Sequence, residues 1–262
     1  MLLLFFDYFS IQKKKHFNFI LVSSSNRKHL RKEIRNQCFS VLPTFVPLNN
    51  YEAYIINKST DTNRLHDIIR LAKDTKYFTV DTESDKYSGI PSLIQFELIH
   101  EHLSTVLLIE VCNIPTQQSS LVLWLIRDIF ESIFQSTKVI YSWGNPIEEL
   151  SKFVTYRLFT NSMLSQPTTI DLQSEFKEWH TGKYDGFNAV GRCKWSLQYA
   201  VVNTYGQFLN KKETLNIWSR TLYRRNEEEY TDKLLSMINY AINDCLAVTK
   251  LAYTMGQDIG CT

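Results

Sequence analysis

Short runs of hydrophobic residues, bounded by polar residues, recur along the first half of the chain and predict buried β-strands. The predicted strands are Tyr51–Ile56, Tyr77–Val80, Ser92–Ile99, Thr105–Val111 and Lys138–Ser142. The second, third and fourth follow one another closely, a spacing that predicts an antiparallel meander. The charged turn His100–His102 separates the last two strands of this meander. Its two histidines, His100 and His102, are interpreted as exposed loop residues rather than as a metal-binding pair.

Apolar residues spaced every three or four positions predict helices between and after the strands. Asp61 is expected to cap the first helix, because its carboxylate can accept a hydrogen bond from the first turn. Further helices are predicted at Leu121–Phe134, Ser196–Tyr205 and Glu228–Tyr253, whereas the stretch that opens with Ile170–Leu172 is less regular. Strands cluster in the first half and helices in the second. The sequence therefore predicts an α/β fold with a mixed sheet flanked by helices.

The predicted domain covers about residues 50–255. Residues 1–49 are expected to form a basic, flexible tail and linker, because Pro43 and Pro47 interrupt the chain before the first strand, and residues 256–262 a short C-terminal tail. The 262 residues, 44% hydrophobic and 21% charged, are long enough to bury a core without cross-links. The five cysteines form no CxxC pair, which argues against a zinc knuckle or disulfide framework and favours a reducing, intracellular compartment.

Positive charge is concentrated at the start of the chain. Residues 1–36 carry eight lysines or arginines against two acids, so the remainder is slightly acidic although the net charge is +2. A nucleic acid would therefore bind the main body through a local patch or bound metal ions. The basic segment is compatible with an organelle transit peptide, but its poor amphipathic pattern favours a basic tail that adds to nucleic-acid affinity, in a nuclear or cytoplasmic protein. The apolar run Phe17–Val22 is too short to span a bilayer, so no membrane association is expected.

The most informative residues are acids in apolar surroundings, and the first pair directly follows a predicted strand. Asp81 and Glu83 are two residues apart, so an extended backbone directs both side chains to the same side. Two neighbouring carboxylates repel each other unless a cation lies between them, and their hard oxygen atoms suit Mg²⁺ or Mn²⁺. Acids at strand ends also commonly face solvent, so this pair by itself does not establish a metal site.

The second acidic position lies on the long C-terminal helix. Tyr240 and Asp244 are one helical turn apart and therefore share a face. Asp244 borders the apolar stripe of that helix, where an unpaired carboxylate is unfavourable and a metal ion would pair it. The alternative interpretation is a boundary residue whose carboxylate reaches water.

The third acidic position follows the predicted strand that ends at Ser142. Gly144 and Pro146 form a tight turn there, and Pro146 fits the first turn of a short helix. Glu148 and Glu149 lie at the start of this helix. Because the helix dipole favours acids near the N-terminus, a purely structural role is also available to them.

In their order along the chain, these three positions resemble the DEDD superfamily of 3′–5′ exonucleases, in the tyrosine subclass that contains ribonuclease D and the Werner-syndrome exonuclease domain. Asp81-Thr82-Glu83 is similar to the first motif of the family, D-x-E after a hydrophobic strand, and Tyr240 with Asp244 matches its third, Y-x₃-D. The resemblance covers roughly residues 50–255 and implies a ribonuclease H-like fold. Three further segments are similar to the family. Ser92–Phe96 resembles its second strand, usually of the form LIQL, and Asp171 stands where the family often has the pair DT. The pattern SL…L-x-K…W is matched by Ser196–Leu197, Leu209–Lys211 and Trp218.

The second motif departs from the family pattern, which has an aspartate directly before a hydrophobic residue. In this chain Glu149 precedes Leu150 in the same register, with Glu148 beside it. Glutamate keeps the negative charge but is longer by one methylene. Because Mg²⁺ requires near-ideal octahedral geometry, this departure puts full activity in question.

The resemblance implies a hydrolase that cleaves phosphodiester bonds from the 3′ end of RNA or DNA with two divalent ions, Mg²⁺ or Mn²⁺. Asp81 would bridge the two ions, and Glu83 and Asp244 would complete the first site. Glu149 would support the second site, and Tyr240 would orient the attacking water.

The implied partner is a single-stranded 3′ end, which requires a groove with aromatic platforms and a few cations. Lys86 and Tyr87 follow the first motif and would line the groove entrance, while Lys211 would contact a phosphate. Trp143 is a candidate platform, although core packing is the commoner role of a tryptophan. The main alternative is an inactive member of the same fold that binds nucleic acid or protein, which Glu149 and the acidic body favour. A third reading is a structural domain whose acids are solvated.

Overall fold

The computed structural model describes three segments of the chain, residues 24–183, 195–224 and 226–260. The start of the predicted tail, including Phe17–Val22, lies outside these segments. No helix within them combines the length and the apolar character that crossing a membrane requires. Their secondary structure is the α/β arrangement that the sequence predicts.

The described residues fall into two units, which divide between Cys38 and Phe39. Helix α1, Ser24–Phe39, is described in a region where the sequence predicts a flexible tail. Its residues are mostly polar or basic and show little apolar periodicity, so the hydrophobic pattern does not reveal this helix.

The second unit extends beyond the predicted domain at both ends. Phe45, in the predicted linker, is only 5% exposed, and its backbone N–H donates to the carbonyl of Phe208 at 3.0 Å. Near the other end of the unit, the Tyr141 hydroxyl donates to the carbonyl oxygen of Asp258 at 2.7 Å. Both contacts join residues far apart in the chain, and local pattern does not encode them.

The second unit is built on one mixed sheet of six strands in the order β1-β4-β3-β2-β5-β6. Strands β2, β3 and β4 are antiparallel neighbours, which confirms the predicted meander. Parallel pairs join β1 to β4, β2 to β5, and β5 to β6. The strands are β1 (Asn50–Ile56), β2 (Tyr77–Ser84), β3 (Pro91–Leu98), β4 (Leu103–Glu110), β5 (Val139–Ser142) and β6 (Thr168–Asp171).

Seven α-helices of this unit lie in the described segments, and they include the helices predicted at Leu121–Phe134, Ser196–Tyr205 and Glu228–Tyr253, with bounds within four residues of the predicted ones. Asp61 caps α2 as predicted, accepting from the Arg64 N–H at 3.1 Å. At the other end of α2, the buried Lys138 ammonium donates to the carbonyl oxygens of Ala72 and Thr75. The helices are α2 (Thr62–Asp74), α3 (Leu121–Ile133), α4 (Pro146–Ser151), α5 (Asn161–Leu164), α6 (Leu172–Lys183), α7 (Leu197–Tyr205) and α8 (Asp232–Thr254).

The two faces of the sheet carry different cores because side chains alternate along each strand. Phe78 and Phe96 point to one face and pack with residues of α2 and α3, such as Phe130. Tyr77 and Leu93 point to the opposite face, which α8 covers. Asp81 and Glu83 lie an even number of positions along β2 from Tyr77, so their side chains point to the same face as that of Tyr77. The alternation therefore directs both acids toward α8.

Two local expectations differ from the structure. The stretch that opens with Ile170–Leu172, expected to be less regular, forms strand β6 and helix α6. Strand β6 has four residues at the edge of the sheet, too few for a clear alternating pattern. His100 is half-buried rather than exposed, because its Nε2 lies 2.8 Å from the Thr75 hydroxyl oxygen. This burial lowers the pKa of His100. His102 is exposed, as predicted.

Candidate active site

Three carboxylates meet between the end of β2 and the middle of α8. One carboxylate oxygen from each of Asp81, Glu83 and Asp244 lies within 4.8 Å of the other two. The D-x-E spacing on β2 supplies two of them, and α8 packs against β2, β3 and β5 to supply the third. The hydroxyl of Thr79, one step back on the same face of β2, donates to the carbonyl of Cys245 at 3.3 Å, which shows how closely helix and strand approach.

Asp244 is the most enclosed member of this cluster. The residue has no exposed surface, and its Oδ1 has no hydrogen-bond partner in the described segments. A buried carboxylate oxygen without a donor is unfavourable, and a cation would compensate it. This orphaned oxygen fits a metal ligand better than a solvated boundary residue.

A lysine ammonium occupies the cluster beside Asp244. Nζ of Lys211 forms a buried ion pair with Oδ2 of Asp244. The same nitrogen lies 3.5 Å from the Tyr240 hydroxyl oxygen and 4.8 Å from the centre of the Tyr240 ring. The predicted phosphate-binding lysine is therefore part of the acidic cluster in this structure.

The cluster strongly perturbs its titratable groups. Burial, followed by the charge of Asp244, raises the pKa of Asp81 to about 7, although Lys211 and the Thr82 N–H act in the opposite direction. Burial and the charge of Asp81 raise the pKa of Glu83 well above its usual range. For Lys211, burial alone lowers the pKa, but the Asp244 and Asp81 carboxylates outweigh it and raise the pKa above its ordinary value. The site therefore favours positive charge.

Tyr240 lies one turn before Asp244, and its ring is buried against Trp218, with ring centres 5.7 Å apart. Its hydroxyl donates to Oγ1 of Thr214 at 3.3 Å. Burial, then the charge of Asp244, raises the pKa of Tyr240 well above its usual value. The side chain is therefore a neutral phenol that can donate a hydrogen bond within the cluster.

Glu149 lies at the rim of the cluster and not among the three converging carboxylates. It stands in the first turn of α4, where Pro146 occupies the first position and Asn145 is the cap. Its Oε2 accepts from the Thr82 hydroxyl at 3.2 Å and pairs with Nζ of Lys152 at 2.6 Å. Its side chain is 46% exposed, yet its charge contributes to the raised pKa of Asp81.

The other acids considered for the second motif are engaged elsewhere. Oε1 of Glu148 lies 3.3 Å from Nδ2 of Asn145, on the exposed side of α4. Asp171 is the last residue of β6, directly before α6, and its Oδ1 accepts from the backbone N–H groups of Gln173 and Ser174. The structure therefore brings Glu149, rather than either of these residues, next to the first motif.

The predicted groove residues fall into two groups. Tyr87 is 76% exposed directly after β2, with the Lys86 ammonium 5.5 Å from its ring centre. The Trp143 indole is instead half-buried: its Nε1 donates to the carbonyl of Trp195 at 2.9 Å, and its ring packs against Phe176. Trp143 is thus packed into the fold and does not form an exposed platform.

Asp85 is a residue of this region that the sequence analysis does not select. It is buried, and its carboxylate accepts from the hydroxyl of Ser219 at 2.6 Å and from the N–H groups of Tyr87 and Ser88. The Ser219 hydrogen bond, followed by that from the Ser88 N–H, lowers the pKa of Asp85. Asp85 fixes the turn that carries Tyr87. The sequence feature that could have selected Asp85 is the run of acids at every second position, 81, 83 and 85.

Solved structures with the same fold come from exonuclease domains. The EXO domain of Aedes aegypti Nibbler is 15% identical, with a TM-score of 0.54 over 82% of this chain and 96% of that domain. Trypanosoma brucei RNase D in complex with RNA U12 is 15% identical, with a TM-score of 0.52 over 79% of this chain. RNase D of the same organism in complex with GMP is 15% identical, with a TM-score of 0.50 over 78% of this chain.

The chain spans 63% and 56% of the two RNase D chains. No protein-family model matches the chain, and no curated protein matches it. The similarity to the solved structures and the six-stranded mixed sheet agree with the resemblance read from the three motifs. The chain therefore has the ribonuclease H-like fold of RNase D-type 3′–5′ exonuclease domains.

Proposed function

We propose that this protein is a metal-dependent 3′–5′ exonuclease that hydrolyses phosphodiester bonds from the 3′ end of single-stranded nucleic acid. One observation carries the proposal: carboxylate oxygens of Asp81, Glu83 and Asp244 converge within 4.8 Å on an exonuclease fold. Tyr240 stands one helical turn from Asp244. A structural domain with solvated acids does not account for the burial of Asp244.

The residues present fit a divalent metal ion. Three hard oxygen donors converge, and Oδ1 of Asp244 is buried without a donor among the described residues. Asp81, Glu83 and Asp244 would hold one ion, and Asp81 with Glu149 would hold a second. Bound Mg²⁺ or Mn²⁺ lowers the pKa of a water ligand and stabilises charge on the reacting phosphate.

The side chains of the chain itself would bind and orient the reactants. The neutral Tyr240 phenol, whose pKa is raised by burial and by Asp244, would hold the attacking water through a hydrogen bond. Lys211 would contact a phosphate oxygen of the substrate. Tyr87 would stack on a base near the 3′ end, with Lys86 beside it supplying positive charge.

RNA is the proposed substrate class, with DNA as the comparison. The complex of T. brucei RNase D with RNA U12 supports this choice, because that protein shares the fold. The slightly acidic body does not argue against it, because bound metal ions and the local cations Lys86 and Lys211 would supply the attraction.

The proposal is tested with 5′-labelled single-stranded RNA and DNA of equal sequence, each with a free or a blocked 3′ end. We expect Mn²⁺ or Mg²⁺ to support stepwise shortening from the 3′ end and EDTA to stop it. Asp81→Asn should abolish the reaction in a folded protein. Internal cleavage, or equal rates in wild type and Asp81→Asn, would refute the proposed mechanism.

A second candidate function is a binding module without catalysis. The observation that favours it is the ion pair between Glu149 and Lys152, because it engages the carboxylate of the second motif. In that case the folded protein would bind the same oligonucleotides in EDTA and leave them intact with every metal supplied.

A further inference from the structure

We propose that Lys211 is a resident counter-cation of the carboxylate cluster, and that metal binding displaces its ammonium from Asp244. This inference rests on the metal site of the proposed function. It adds that the site is charge-compensated before any metal arrives, and that a metal ion ligated by Asp244 must compete with a cation of the chain itself.

The contact between Lys211 and Asp244 is enclosed. The Asp244 side chain is 1% exposed and the Lys211 side chain 23% exposed, so solvent screens their interaction little. Oδ2 of Asp244 accepts from the ammonium, whereas Oδ1 has no partner in the described segments. A metal ion ligated by Asp244 would lie within a few ångströms of the ammonium and be repelled by it.

The Lys211 ammonium has a second partner, the side chain of Tyr240. Its nitrogen already lies 4.8 Å from the centre of the Tyr240 ring and 3.5 Å from the Tyr240 hydroxyl oxygen. The face of an aromatic ring attracts a cation, so leaving Asp244 does not expose the charge to an apolar environment. Lys211 lies in the irregular segment between α7 and α8, where no helix or strand fixes its backbone.

Two neighbouring lysines lack this arrangement and serve as contrasts. Lys212 is exposed, whereas Lys211 is half-buried. Lys152 pairs with Glu149, but both side chains are nearly half exposed, and such pairs are screened by water and contribute little. The competition with a metal ion is therefore assigned to Lys211 alone.

The test compares Mn²⁺ affinity in wild type, Lys211→Met, Lys211→Arg and Lys212→Met, measured by titration with electron paramagnetic resonance and without substrate. We expect Lys211→Met to tighten Mn²⁺ binding by about tenfold or more, because the repulsion is removed. Lys212→Met and Lys211→Arg should stay near wild type. An unchanged or weaker affinity in a folded Lys211→Met protein overturns the inference.

A second measurement uses the wild-type protein, so it does not depend on the folding of a variant. Amine-reactive labelling followed by peptide mass spectrometry reports the reactivity of each lysine amine, which is low while the ammonium is held in a buried ion pair. Mn²⁺ should increase the labelling rate of Lys211 severalfold and leave that of Lys212 unchanged. A Lys211 rate that is equal or slower with Mn²⁺ overturns the displacement.

These outcomes separate the inference from the function on which it rests. If wild type and Asp81→Asn bind Mn²⁺ equally, the proposed metal site is wrong. If wild type binds Mn²⁺ and Asp81→Asn does not, while Lys211→Met equals wild type, the metal site stands and only the role of Lys211 is wrong.

Discussion

The hydroxyl of Thr82 donates a hydrogen bond to Oε2 of Glu149, with 3.2 Å between the oxygen atoms. Thr82 is the middle residue of the D-x-E motif, so this bond joins the first motif to the helix that carries the second. It holds an acid that is 46% exposed on a short surface helix next to the first motif.

The Thr82–Glu149 contact leads to a prediction for the second motif. Glu149→Gln should slow hydrolysis by about tenfold or more, because a charged ligand beside a metal ion is lost. Glu149→Asp should retain activity or raise it with Mg²⁺, and wild type should prefer Mn²⁺, which tolerates distorted coordination. Initial rates with each metal are the measurement.

Glu148→Gln is the matched control, because it removes the same charge from the adjacent residue, whose carboxylate lies by Asn145. A damaging Glu148→Gln together with a silent Glu149→Gln would show that the register of the second motif is wrong by one residue.

Asp81→Asn and Asp244→Asn should both abolish hydrolysis but affect the metal-free fold differently. Asp81→Asn relieves repulsion among the carboxylates, so the melting temperature in EDTA should hold or rise. Asp244→Asn leaves the Lys211 ammonium without its charged partner, so it should lower the free energy of unfolding by roughly 1–3 kcal/mol. Thermal denaturation in EDTA distinguishes the two. A larger loss for Asp81→Asn would contradict the assignment of the ion pair.

Tyr240→Phe separates water orientation from metal binding. The hydroxyl is not among the three converging carboxylate ligands, so Mn²⁺ affinity should remain near wild type. Turnover should fall by about two to four orders of magnitude, the scale of a lost acid–base partner. Thr214→Val, which removes the acceptor of the Tyr240 hydroxyl hydrogen bond, should have a smaller effect on turnover. A large loss of Mn²⁺ binding in Tyr240→Phe would show that the phenol is a ligand.

The raised pKa of Asp81 predicts how pH changes stability without metal. Burial and Asp244 raise this pKa from 3.8 to about 7, so between these values the folded protein binds a proton that the unfolded chain has released. The stability is therefore greatest near the lower value and decreases as pH rises toward 7. Denaturation in EDTA from pH 5 to 8 should show this decrease, and Asp81→Asn should reduce it. A saturating concentration of Mn²⁺ should oppose the loss at the upper end, where the ligand is ionised.

The sequence alone determined the parts of this protein whose physical basis is local. Short hydrophobic runs placed β2, β3 and β4, and the capping carboxylate of Asp61 marked the start of α2. Side chains alternate in direction along an extended strand, which put Asp81 and Glu83 on one side of β2, and helical spacing put Tyr240 and Asp244 on one face of α8. The candidate acids could therefore be selected without coordinates.

Only the tertiary structure decided which of these groups meet, because contacts between distant residues depend on how the chain crosses itself. It paired Lys211 with Asp244, buried Phe45 outside the predicted domain, and packed Trp143 into the fold. It also put Glu149 at the rim of the cluster, held by Thr82. The pattern of hydrophobic residues indicates which side of a helix or strand a residue occupies. The distance to a partner, and with it the burial that raises the pKa of Asp81, comes from the packing of α8 against the sheet.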